Sequence, residues 1–253
     1  MDLGTRLNVA RRLSGLTASD VARLAEVAVS TVTRVEQGAW GDVSYSRVMR
    51  LLDAVDLKPD LTPLSRPDAI SAFRFLVDDA PAPPTLDFWL ERWRKLNLLD
   101  DNSQPLDARE VAWRASCSAP LQSRPGSVVL PRMDLYEVGH LLGRAGIEWA
   151  NTGDSAANRL AECADETWPV LYVADIRAAL AAIGAQMKLP GDPLSPSMTL
   201  IPFDGFSEAG RWTDADTGLV YAAPWQVVAD CYAGADRMLQ QADWILETWK
   251  GAA

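Results

Sequence analysis

The chain has 253 residues, 48% of them hydrophobic and 23% charged, a composition that excludes wholesale disorder and allows one large domain or two modest ones. Its 24 Lys+Arg against 34 Asp+Glu give −10, which disfavours a surface coated in nucleic acid but leaves room for a small basic face. Three scattered cysteines (Cys117, Cys163, Cys231) exclude a disulfide framework and a zinc knuckle, and with no apolar leader and no membrane-length run the expectation is a cytoplasmic protein.

The first 57 residues predict a string of short helices. Leu3, Leu7, Ala10 and Leu13 share one helical face, and Gly15 ends that helix. Thr17 is a good N-cap for a second helix, with Asp20 in its first turn and Val21, Leu24 and Ala25 on its apolar face. A break at Glu26-Val27-Ala28 leads to a third helix carrying Thr31, Val32, Arg34 and Val35, closed by Gly38. Ser44 is expected to cap a fourth, with Val48, Leu51, Leu52 and Val55. Two helices joined by a three-residue turn form the helix-turn-helix arrangement. Residues 1–57 hold seven arginines and seven acids, so the whole −10 falls on residues 58–253.

Pro59, Pro63 and Pro67 mark residues 58–67 as a linker. Residues 68–133 predict a mostly helical connecting region. One helix covers 68–79, a second starts at Thr85 with Leu86, Trp89, Leu90, Trp93 and Leu96 on one face, and a third covers 107–117. Residues 118–131, with three prolines, predict a loop. From Asp134 strands alternate with helices. Strands are expected at Ile147–Thr152, Pro169–Val173, Met198–Phe203 and Leu219–Ala223. Helices start at Asp134, Gly153, Asp175 and Pro224, and a last one runs to about Trp249. The expected class is α+β, with an all-α head, a helical middle segment and a mixed α/β domain over 134–253.

The stretch TVTRVEQG, with Glu36 two residues before Gly38, resembles the Cro/cI-type helix-turn-helix family over roughly residues 3–57. The resemblance implies that the helix starting near Val29 enters the major groove, with Val29, Ser30 and Thr33 at base edges and Arg34 reaching a base or a phosphate. Val32 and Val35 then face the core. Arg11 and Arg12 are expected to hold backbone phosphates. Two positions depart from the family: Glu26 stands where glycine is usual, and Ala28 where a capping Ser or Thr is usual, at a cost of about 1 kcal/mol.

The string APWQVVADCYAGADRMLQQADWILETW at 223–249 resembles the end of AbiEi-family antitoxins of type IV toxin–antitoxin pairs, through Gln226, Asp230, Gly234, Arg237 and Ile245-Leu246. Upstream, GIEWANTGDSAANRLAE, PVLYVAD and MTLIPFDGF follow in the family's order, so the resemblance spans about 134–253. It implies repression of the protein's own operon and neutralisation of a toxin with a nucleotidyltransferase fold. Gln226, Asp230 and Arg237 are the candidate partner-binding residues, although a polar network at the joint of two helices explains them equally well.

Other patterns carry less. YEVGHLL at 136–142 has the shape of a zinc-protease helix, but His140 is the one histidine in the chain and that site needs two. Gly153-Asp154-Ser155-Ala156 is similar to the serine segment of self-cleaving phage repressors, with Lys188 as base and Ala145–Gly146 as the cut site. Asp165 and Glu166 are adjacent and cannot both face one ion from a regular strand. Of the ten tryptophans, Trp89 and Trp93 fit a buried stripe, and Trp244 and Trp249 fit either core or contact anchors. The expectation is therefore a DNA-binding regulator with no catalytic activity, metal or cofactor. Its partners are double-stranded operator DNA and a cognate toxin, with no membrane, and a homodimer on DNA is compatible with this. The alternative is a single-gene repressor whose body senses a small ligand.

Overall fold

The computed structural model describes residues 3–57, 65–161, 168–184, 197–234 and 237–252. The chain divides into two units, Met1–Pro63 and Leu64–Ala253, so the division falls inside the proline-bearing stretch. Most of that stretch, residues 58–64 with Pro59 and Pro63, lies outside the described residues. The class is α+β: helices dominate, and one six-stranded mixed sheet lies in the larger unit.

The smaller unit contains α1 (Leu3–Leu13), α2 (Ala18–Leu24), α3 (Val29–Glu36) and α4 (Tyr45–Asp53). Gly15, at φ 68°, ends α1 in the left-handed region. Thr17 caps α2 in a reciprocal box with Asp20, whose pKa is lowered chiefly by the Thr17 hydroxyl bonded to it. Ser44 sits at the N-cap of α4, yet its side chain makes no capping bond; its Oγ lies 3.2 Å from Ser46 Oγ instead. Leu7, Val21, Ala25, Val32, Val35, Leu51, Leu52 and Val55 form the core. Burying each large apolar side chain contributes about 1.5–3 kcal/mol before chain entropy is subtracted. Gly4 lets α1 lie against the end of α3, because a Cβ there would stand 2.5 Å from the Val35 carbonyl oxygen.

The larger unit opens with α5 (Asp68–Val77), α6 (Leu86–Lys95) and α7 (Ala108–Cys117). Then follow β1 (Val128–Pro131), α8 (Leu135–Arg144), β2 (Trp149–Thr152), α9 (Gly153–Leu160), β3 (Val170–Val173) and α10 (Ile176–Ile183). It closes with β4 (Ser197–Pro202), β5 (Trp212–Thr213), β6 (Val220–Tyr221), α11 (Pro224–Tyr232) and α12 (Arg237–Ala252). The sheet order is β1-β4-β3-β2-β6-β5. The β4–β3 and β2–β6 pairs are parallel, and the remaining pairs are antiparallel.

Three expectations change. Residues 128–131 are an edge strand rather than loop, because Val128–Pro131 finds its ladder partner in β4, far along the chain. The two-residue β5 also went unpredicted, being too short to show a period. Finally, residues 68–133 are no connecting region. Phe73, Trp89, Trp93 and Val111 belong to the same core as Leu171, Leu200 and Val228, so no boundary exists at 133/134. Trp89 and Trp93 are that buried stripe, Trp249 packs edge-on against Trp225, and Trp244 is exposed.

Candidate nucleic-acid interface

Helix α3 has two faces. Val32 and Val35 are fully buried, while Val29, Ser30, Thr33 and Arg34 are exposed. The four candidate base-reading residues therefore share an accessible surface. The Thr33 hydroxyl donates to the Val29 carbonyl at 3.3 Å, which leaves its oxygen free to accept a bond from a base and its methyl free for apolar contact. Arg34 is exposed and makes no ion pair among the described residues, as do Arg12 on α1 and Arg47 on α4. Ala28, at the N-cap of α3, supplies no side-chain bond. The first-turn amides of α3 thus lack the capping oxygen that Ser or Thr would provide.

The turn before α3 carries the second departure noted in the sequence. Glu26 adopts φ 52°, a left-handed conformation that costs a residue with a Cβ about 1–2 kcal/mol and glycine almost nothing. Its carboxylate accepts from Arg50 Nη1 at 3.0 Å, so the charge is paired within the unit.

Arg11 does not stand ready for phosphate. Its Nε donates to Glu36 Oε1 at 2.6 Å and its Nη2 to Glu36 Oε2 at 3.1 Å, while Nη1 donates to the Leu16 carbonyl at 3.1 Å. Asn8 Nδ2 adds a bond to Glu36 Oε2 at 2.7 Å. The two side chains are only 14% and 9% exposed. Burial pushes the Glu36 carboxyl upward, but the bonds from Arg11 and Asn8 outweigh it and leave the pKa lowered. A bidentate pair of this kind fastens α1 to the end of α3 and sets the pose of the exposed face. Glu36 was recognisable in the sequence as a family position; that Arg11 answers it was not, because the two are twenty-five residues apart.

In the larger unit the structure separates the three candidate partner-binding residues. Gln226 and Asp230 are 3% and 0% exposed and stand in the interior. Asp230 accepts from Arg124 Nη2 at 2.6 Å, Thr152 Oγ1 at 2.6 Å, Gln226 Nε2 at 3.0 Å and the Tyr172 hydroxyl at 3.2 Å. Arg124 also donates to the Tyr172 hydroxyl, and burial pushes that phenol's pKa well up. Gln226 Oε1 in turn accepts from Arg74 Nη1 at 3.2 Å. Every partner here belongs to the same unit, so these two positions form a polar network within the fold rather than a face that a partner can reach. Arg237 differs: its side chain is 44% exposed and donates to Asp154 at 2.7 Å. Arg74 and Arg124, which sequence reading passed over, had a visible signal at least at Arg74, a charge inside the apolar run AISAFRFLV.

The weaker patterns also take definite places. His140 is exposed on α8. The Ser155 hydroxyl donates to Asn151 Oδ1 at 2.6 Å. Lys188, Asp165 and Glu166 lie outside the described residues. Among the described residues no helix is long and apolar enough to cross a membrane.

Residues 2–64 match the family model of the helix-turn-helix domain, a span that includes all four helices just described. No curated protein and no solved structure matches the chain. The matched domain and the exposed face of α3 define a DNA-binding regulator whose ligand is double-stranded DNA.

Proposed function

We propose that the protein is an operator-binding transcriptional repressor that also acts as an antitoxin. The smaller unit binds operator DNA through Val29, Ser30, Thr33 and Arg34, with Arg12 on the phosphate backbone. The observation that carries the DNA part is the two-sided character of α3, buried at Val32 and Val35 and open at those four positions. The larger unit neutralises a nucleotidyltransferase-type toxin by binding it, without catalysis of its own. That part is supported by the ordered likeness of residues 134–253 to AbiEi-family antitoxins and by the acidic excess of residues 58–253. Enzymes acting on nucleic acid present basic clefts, and an acidic partner meets such a cleft quickly and selectively. Of the three partner-binding candidates, Arg237 is the one a partner can touch.

The test uses the full chain co-expressed with the product of the adjacent gene. Restored growth together with co-purification of the two proteins is the expected result. Persistent growth arrest and no complex, with DNA binding intact, would overturn the antitoxin part and leave the repressor part standing.

A further inference from the structure

We infer that the larger unit holds a small, uncharged aromatic molecule with one hydroxyl or carbonyl group in the cavity framed by β3, β4 and the start of α12. The cavity measures about 420 Å³. That volume suits a small molecule, for which sites run about 300–1,000 Å³, and cannot admit a helix about 10–12 Å across. Leu121, Val170 and Met238 give it apolar walls, and the half-exposed Trp168 ring stands where it meets solvent. Gly234 seats Met238 in that wall: a Cβ there would stand 2.8 Å from Met238 Cε and displace the side chain.

The ligand's neutrality follows from the two ionisable groups in the lining, Asp154 and Arg237, which answer each other. Asp154 is 1% exposed and accepts from Arg237 Nη2 at 2.7 Å, from the Trp168 amide at 3.1 Å and from Gln241 Nε2. Both charges are committed to this pair. An ion entering the apolar interior would shed its water and find no free counter-charge, a cost that a neutral molecule does not meet. The polar groups that remain are hydroxyls. Ser197 and Thr199 stand two apart on β4 and face the cavity, while Met198 and Leu200 are fully buried on the opposite side of the strand. Neither hydroxyl makes a side-chain hydrogen bond among the described residues. A hydroxyl both donates and accepts, so this pair meets a phenol or a carbonyl on the ligand. A flat ring then packs on Val170 and Met238 beside Trp168.

Titration calorimetry of the full chain with 2-naphthol, naphthalene-2-carboxylate and 2-naphthylmethylammonium varies the charge on one flat body. The expected result is saturable one-to-one binding of 2-naphthol at neutral pH, with both ions weaker by about tenfold or more. The double variant Ser197→Ala/Thr199→Val keeps the cavity and removes both hydroxyls, and it should weaken 2-naphthol about fivefold, the loss of one neutral hydrogen bond. Thr199→Trp, which fills the cavity, should abolish binding, with far-UV circular dichroism confirming the fold. The conservative double variant decides the matter if Thr199→Trp fails to fold. No saturable binding of 2-naphthol, an ion that binds as tightly, unchanged affinity in the double variant, or binding that survives Thr199→Trp would overturn the inference. DNA binding and toxin capture do not enter the readout, so such a failure leaves those readings untouched.

Discussion

Glu36→Ala tests whether the α1–α3 clasp holds the DNA-reading face in place. The substitution removes three bonds to the carboxylate, two from Arg11 and one from Asn8, and leaves Arg11 with the Leu16 carbonyl. Bonds to a charged group contribute about 1.5–3 kcal/mol net, and part of that returns when the freed guanidinium turns to water, so the expected cost is about 2 kcal/mol. That corresponds to roughly a 30-fold shift in the opening equilibrium of the smaller unit, and amide hydrogen exchange at Leu7, Val21, Val32 and Val35 reads it directly. The same clasp predicts an acid response. The folded pKa of Glu36 is lowered, so its contribution is complete above the ordinary carboxylate range and disappears as the pH falls through the folded value. Exchange in the wild type should therefore accelerate at acid pH more than in the variant. A second arm separates clasp from phosphate contact: Arg11→Ala should destabilise the unit but leave the salt dependence of DNA binding unchanged, whereas Arg12→Ala should reduce that slope by about one. Unchanged exchange in Glu36→Ala, or a shallower salt slope in Arg11→Ala, would refute the reasoning.

Ala28→Ser should stabilise the smaller unit by about 0.5–2 kcal/mol, because it supplies the capping oxygen that α3 lacks; an unchanged exchange pattern in α3 would contradict this. Asp230→Ala should destabilise the larger unit by about 3–5 kcal/mol in urea unfolding followed by tryptophan fluorescence, since it strands Arg124, whose side chain is 4% exposed; a loss under 1 kcal/mol would contradict the network. Partial burial pushes the half-buried Asp68 carboxyl up, but bonds from Arg66, Thr85 and Trp89 outweigh it and lower its pKa to about 2, so its contribution is complete above about pH 4 and fades as the pH falls toward 2. Asp68→Asn should flatten the acid limb of the unfolding profile in that window.

The elements most legible in the sequence were those with local causes. Thr17 and Asp20 announced the start of α2 by their spacing alone, and Pro224 announced α11. Val32 and Val35 followed from helical period, and Glu26 stood out as a carboxylate where the turn favours glycine, which its positive φ explains. What stayed hidden depends on distant partners. The edge strand β1 exists through β4, seventy residues on, and nothing in Val128–Pro131 marks it. Arg11 read as a phosphate contact from its place on the first helix, and only the fold brings Glu36 to it. Gln226 and Asp230 were correctly spaced for one helical face, but spacing cannot say whether that face looks out or in. Ser44 has a capping residue's identity and position without its bond.

The most direct test of the central claim, that the open face of α3 reads DNA, is fluorescence anisotropy of the full chain on a duplex enriched from a randomised pool, repeated with Arg34→Ala. The account predicts that a site enriches and that the variant, still folded, loses about 1–3 kcal/mol on it, the worth of a good side-chain contact to a base. Failure of any sequence to enrich, or unchanged affinity of Arg34→Ala for the enriched site, would contradict it.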